Sequence, residues 1–225
     1  MSRDTILFDI NETVLDLSSL KPRFQAVFGS DLVMPVWFAT LLHTSTVCAL
    51  TDVKSDFATL AGAAVDIVAG RFDISVSDDQ RREILSGFQS LAPHADVKPA
   101  LERLRAAGYQ TVAFTNSSHD LVTRQLTNAG LVDLFDERIS VEPTGNFKPA
   151  PNVYRFVSEQ VGRPVEALRL IAAHDWDIHG ALTSGLLGAY VARSGAPYHP
   201  LYRKPQIIGD DMVAVVEAII EADKR

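Results

Sequence analysis

The chain has 225 residues, 47% of them apolar and 22% charged, enough to bury a sizeable core and far from the composition of disordered chains. A formal net charge of −7, a pI near 5.3 and scattered Lys and Arg argue against a nucleic-acid partner. The single cysteine, Cys48, lies in an apolar run, which excludes an internal disulfide and reads as a buried thiol.

The N-terminal MSRDTILFDI enters an apolar run directly, without the basic flank or cleavage site of a signal peptide. No later segment reads as long enough to span a bilayer, so the expectation is a cytoplasmic protein with no membrane partner. TILFDI (5–10) reads as a buried parallel strand. From about 17 to 93 the pattern is helical, punctuated by Gly29, Gly70 and the acidic SDDQRREIL (77–85) into about four helices, with one doubtful strand, FDISV (72–76). The next element is a helix, KPALERLRAAG (98–108), then the strand QTVAFT (110–115), a helix HDLVTRQLTNAG (119–130) and a weaker strand ERISV (137–141). Both helices close on a glycine, as helix C-termini commonly do. RLIAA (169–173) and GAYVAR (188–193) complete the strands. Alternation of strand and helix predicts an α/β fold, a doubly wound, Rossmann-like parallel sheet with an inserted helical cap. The expected division is a core of residues 1–15 and 94–225 and a cap of residues 16–93.

Open parallel sheets bind ligands beyond the carboxyl ends of their strands. Asp9, Asn11, Glu12 and Thr13 follow the first strand, Thr115, Asn116, Ser117 and Ser118 the second, Lys148 the third, and His174, Asp175 and Asp177 the fourth. Alone, Asp9 reads as a helix cap and Lys148 as a solvated loop lysine. Four polar strand ends converging on one crevice point to chemistry instead.

The order Asp-x-x-x-Thr, Thr-Asn, Lys-Pro and then a strand end with acids resembles the haloacid dehalogenase superfamily over essentially the whole chain. The resemblance implies that Asp9 is a nucleophile forming an aspartyl ester, oriented by Thr13 and Thr115. It implies that Lys148 keeps that carboxylate ionised. Most members are magnesium-dependent phosphatases, but their second Asp is here Asn11 and their usual metal carboxylate falls at Ala173. Mg²⁺ needs carboxylate oxygens, so both departures weaken a phosphomonoesterase and no metal or other cofactor is expected. A dehalogenase needs neither residue, because halide leaves without a proton.

Closest is the resemblance to type II 2-haloacid dehalogenases, with Lys148 and Tyr154 in their Lys-Pro motif and Asn116 where that family cradles the halide. Asn11, Phe38, Asn116, Tyr154 and Trp176 are therefore the expected substrate and halide contacts, Phe38 standing where the family has a cap arginine. Trp37 is a further candidate for an apolar wall around the substrate. Where the family has a glycine before the Thr and an asparagine at the fourth strand end, this chain has Glu12 and His174. A carboxylate can fix the tautomer of a histidine that takes a proton from water, so Glu12 and His174 are read as the activating dyad. The alternative is a first-turn helix acid beside a histidine bonded to backbone. Asp177 is expected to position Lys148 or the water. The partner expected is a small halogenated carboxylic acid, as the L-enantiomer, and relatives suggest a homodimer. A phosphomonoesterase or a catalytically weak binding protein on the same scaffold are the alternatives.

Overall fold

The structure, a computed structural model, describes residues 5–224. From β1 (Thr5–Phe8) the chain passes β2 (Leu15–Asp16) and enters four helices, α1 (Lys21–Phe28), α2 (Val33–Thr51), α3 (Phe57–Arg71) and α4 (Asp78–Ser86). It returns through β3 (Ala92–Pro93) to α5 (Val97–Ala106), β4 (Gln110–Thr115), α6 (His119–Asn128) and β5 (Glu137–Ser140). Then follow α7 (Pro151–Val161), β6 (Leu168–Ala172), α8 (Asp175–Thr183), β7 (Leu187–Val191), β8 (Ile207–Gly209) and α9 (Met212–Asp223).

Six strands pair in the order β5-β4-β1-β6-β7-β8, and each neighbouring pair is parallel. This is the doubly wound α/β sheet expected from the alternation of apolar runs and helices. Strand β1 lies between β4 and β6 in register, Phe8 opposite Ala113 and Ile171, and all four of its residues are buried. A strand covered on both faces must be apolar throughout, which is why TILF shows no alternation. The order of the sheet reverses at β1, so the carboxyl ends of β4, β1 and β6 bound one crevice.

The antiparallel pair β2 and β3 ties together the two chain segments that lead into and out of the helices. Among those helices Trp37 is fully buried, its ring 5.3 Å from that of Phe24 and 5.7 Å from that of Phe88, and its indole N–H donates to Ala61 O at 3.0 Å. Helix α4 begins with a capping box, Ser77 and Gln80 each accepting the other's backbone N–H.

Two expectations need correction. FDISV is not a strand: α3 runs to Arg71, and a turn with Asp73 at φ 55° follows it. The pattern of β-branched residues there has no partner strand to pair with. Helix α2, with 19 residues, is also long and apolar enough by length and composition to cross a membrane, contrary to the sequence reading. Its Val33, Met34, Trp37, Phe38 and Leu41 are buried against the rest of the protein, which accounts for its apolar composition.

Candidate active site

The last ladder bond on the β6 side of β1 is Asp9 N–H to Ile171 O, 3.0 Å, so the Asp9 carboxylate stands at the tip of the central strand. The chain turns at once, with the Val14 and Leu15 N–H groups both donating to Ile10 O at 2.9 Å and Glu12 N–H donating to Leu15 O at 2.8 Å. The turn folds Thr13 back, so that its hydroxyl donates to Asp9 Oδ2 at 2.7 Å and accepts Ala173 N–H at 2.9 Å. It also requires a left-handed backbone at Glu12, φ 65°. That conformation costs an L-residue roughly 1–2 kcal/mol and glycine almost nothing, so a side chain retained there marks a functional candidate.

Three residues outside the motifs latch this turn. Arg193 Nε donates to Thr13 O at 2.9 Å, Asp96 holds the same guanidinium through two 3.1 Å bonds, and His94 Nε2 lies 3.1 Å from Glu12 O.

Lys148 is 1% exposed and donates to Asp177 Oδ2 at 2.8 Å, to Phe114 O at 2.8 Å and to Asp9 Oδ1 at 3.3 Å. Tyr154, also buried, donates to Asp177 Oδ1 at 2.6 Å. Gly180 makes room for it, because a Cβ there would come within 2.5 Å of the Tyr154 hydroxyl oxygen. Burial pushes the Asp9 carboxyl up, but Lys148, His174 and Thr13 outweigh it and hold the group well below the usual carboxylate range. Burial likewise lowers the Lys148 ammonium, yet Asp177 and Asp9 raise it further, so it stays charged. Burial and the Asp177 charge push the Tyr154 phenol well up, leaving it a neutral donor.

His174 closes the row. Its Nδ1 lies 3.1 Å from Asp9 Oδ2 and its Nε2 lies 2.8 Å from Glu12 Oε2. Burial opposes the imidazolium, but hydrogen bonds and charge from Asp9 and Glu12 prevail, and the pKa is pushed up to about 10. Trp176 stacks on the ring at 5.2 Å and Phe38 reaches over from α2 at 6.1 Å, faces that suit a cation. Asp9 Oδ2 is thus held by two donors, whereas Oδ1 has only the long contact to Lys148. Both cations of the row are already engaged by carboxylates.

The geometry brings together Asp9, Glu12, Thr13, Lys148, His174 and Asp177 as one hydrogen-bonded chain. Other candidates lie elsewhere than expected. The Thr115 hydroxyl accepts Ser117 N–H at 3.1 Å, closing the turn after β4 instead of reaching Asp9. Tyr154 sits behind Asp177, fully buried, and so supports the acid where a substrate contact was expected. Asn11 bonds Ser117 and Gln125, anchoring the turn to α6. Asn116 Oδ1 accepts Lys148 N–H at 2.9 Å, which fixes the amide with Nδ2 unbonded to any described residue. The backbone N–H groups of Ile10, Asn11 and Asn116 also find no acceptor among the described residues. Trp37 belongs to the cap core and not to a substrate wall. Arg193, Asp96 and His94 were missed, since a basic residue two places after a strand carries no signal until its partner is known.

The family model for haloacid dehalogenase-like hydrolases matches residues 3–172. An (S)-2-haloacid dehalogenase of Pseudomonas fluorescens is 26% identical over 201 residues, 88% of each chain. Haloacetate dehalogenase H-2 of a Moraxella species is 23% identical over 220 residues, 96% of each. The solved L-2-haloacid dehalogenase of Xanthobacter autotrophicus with chloropropionic acid covalently bound superposes with a TM-score of 0.89 at 21% identity. It covers 97% of this chain and 98% of that one.

Proposed function

This chain belongs to the haloacid dehalogenase-like hydrolases, and from that membership we propose that it hydrolyses the carbon–halogen bond of small 2-haloalkanoic acids through an ester on Asp9. The observation that carries the reading is the asymmetry of the Asp9 carboxylate, ionised by Lys148 and His174, with Oδ2 pinned by Thr13 and Oδ1 nearly free. Oδ1 attacks the carbon bearing the halogen from the opposite side, inverting it, and the halide leaves with the bonding electrons. Water then adds to the Asp9 carboxyl carbon, with His174, steadied by Glu12, as the base. The unpartnered N–H groups of Ile10, Asn11 and Asn116 suit the substrate carboxylate. Asn116 Nδ2 and the Phe38 ring suit the departing halide.

The family's magnesium does not fit these side chains. Two cationic side chains, Lys148 and His174, already flank Asp9, Lys148 and Tyr154 hold both oxygens of Asp177, and Asp175 Oδ2 accepts His199 N–H at 3.2 Å. Among the described residues no group of three His, Cys, Asp or Glu is placed to hold a cation. No step is therefore routed through a metal.

Halide release from chloro- and bromoacetate and from both enantiomers of 2-chloropropionate tests the reading, with EDTA or Mg²⁺ added. The expected result is metal-independent halide release that Asp9→Asn abolishes. Turnover of p-nitrophenyl phosphate only with Mg²⁺, and no halide, would overturn it.

A further inference from the structure

A histidine that keeps its proton up to high pH cannot accept one from water, and His174, hydrogen-bonded between the Asp9 and Glu12 carboxyl groups, is such a group. Its two nitrogens face different acids, Nδ1 the nucleophile Asp9 and Nε2 the accessory Glu12. Only the first of these changes charge during the reaction proposed above. We infer that formation of the Asp9 ester is itself the switch that arms His174, so that the base for the second step exists only once the first is complete. The inference rests on the Asp9 displacement.

In the resting site the imidazolium donates from Nδ1 to Asp9 Oδ2 and from Nε2 to Glu12 Oε2. Attack by Oδ1 forms the oxygen–carbon bond and releases halide, leaving Asp9 as a neutral ester. The Nδ1 proton then has lost its anionic acceptor while Nε2 keeps its own, so the proton that departs to crevice water is the one on Nδ1. The neutral ring now turns a lone pair toward the ester, fixed in that tautomer by Glu12. Water gives one proton to Nδ1 as its oxygen bonds the carboxyl carbon. Its other proton goes to the departing Oδ1, which leaves as the product hydroxyl. Asp9 and the imidazolium are restored, with one proton and one halide released per turnover.

Glu12 is placed for this role. Its side chain is 40% exposed against 12% for His174 and 10% for Asp9, which puts it at the edge of the site, away from the reacting atoms. Behind it opens a pocket lined by Asp16, His94, Ala173, Arg193 and Ser194. The charged and titratable groups around His174 are therefore Asp9 and Glu12 in contact, Lys148 and Asp177 beyond Asp9, and Asp16, His94 and Arg193 beyond Glu12. On its own helix Asp175 is held by His199 N–H, and the faces toward α2 and Trp176 are aromatic.

Rapid quench with (S)-2-chloropropionate between pH 6 and pH 10 separates the steps, reading halide for the first and the mass of the alkylated protein for the second. First-turnover halide release is expected to be flat with pH up to about 9. Ester hydrolysis is expected to rise with pH as one proton is lost. In Glu12→Gln, which keeps shape and hydrogen bond but removes the charge, the midpoint of that rise moves to lower pH by about one unit. Ester hydrolysis that is flat with pH, or a midpoint unmoved in E12Q, overturns the switch while leaving the Asp9 ester intact. Halide release without any alkylated protein overturns the displacement itself, and the switch with it.

Discussion

Replacing Lys148 by Met keeps the apolar stem of the side chain and removes the ammonium that joins Asp9 to Asp177. The site then holds two carboxylates, 10% and 0% exposed, with no cation between them. Removing one partner of a buried ion pair costs about 3–5 kcal/mol, because the orphaned charge stays out of water. For a chain of this size each kcal/mol corresponds to roughly 2–4 °C, so K148M should melt roughly 6–20 °C lower at pH 7. Burial and Asp9 already push the Asp177 carboxyl up, and without Lys148 it rises further. A carboxyl raised on folding destabilises increasingly as pH climbs above its unfolded value, so the deficit should shrink as the pH falls toward about 4. The double substitution K148M/D177N removes the orphan and should recover most of the lost stability. It should not recover activity, because the larger of the two charges that hold Asp9 ionised and oriented is gone, and first-turnover halide release should fall by about 10²–10³-fold in both variants. Calorimetry across pH and a halide electrode read the two effects. Equal melting of K148M and the parent at pH 7, or a double variant no more stable than the single, would refute the charge network.

The raised pKa of His174 has its own signature in stability. The imidazolium contributes fully below the unfolded value near 6.5, and the contribution is lost as pH rises through about 10, so urea midpoints should decline over that window. Substituting His174 by Asn should flatten the decline. Phe38→Arg places a guanidinium within reach of the departing halide, and fluoride, the poorest leaving group, gains most from it. The ratio of kcat/KM for fluoroacetate to that for bromoacetate should rise at least about tenfold, at a stability cost of a few kcal/mol for a buried charge. Gly180→Ala should displace the Tyr154 hydroxyl from Asp177 and lower both stability and steady turnover, while Gly62→Ala, whose added methyl meets only Leu85 at 3.8 Å, serves as the control.

Much of this site could be read before any coordinates, for identifiable reasons. Buried parallel strands are apolar on both faces, so TILF, QTVAFT and LRLIA stood out, and their polar ends followed. The expected pairing of Glu12 with His174 is present at 2.8 Å, whereas the facing of Nδ1 onto Asp9 was not foreseen, because it depends on the angle at which β6 releases the chain. Thr115 and Tyr154 were assigned to the right neighbourhood and the wrong partner. A hydroxyl can close its own turn or stand behind an acid as readily as face a ligand, and spacing along the chain does not separate these. Arg193 was invisible for a related reason, since Asp96 lies 97 residues away.

The central claim is that the oxygen delivered to the substrate comes from Asp9. A single turnover in ¹⁸O-labelled water, with enzyme in excess over (S)-2-chloropropionate, tests it directly by mass spectrometry of the product and of the peptide containing Asp9. The label should appear in the Asp9 carboxyl and be absent from the lactate formed. Label in the lactate hydroxyl on the first turnover, with none in the Asp9 peptide, would mean that water attacks the substrate directly and that the ester does not exist.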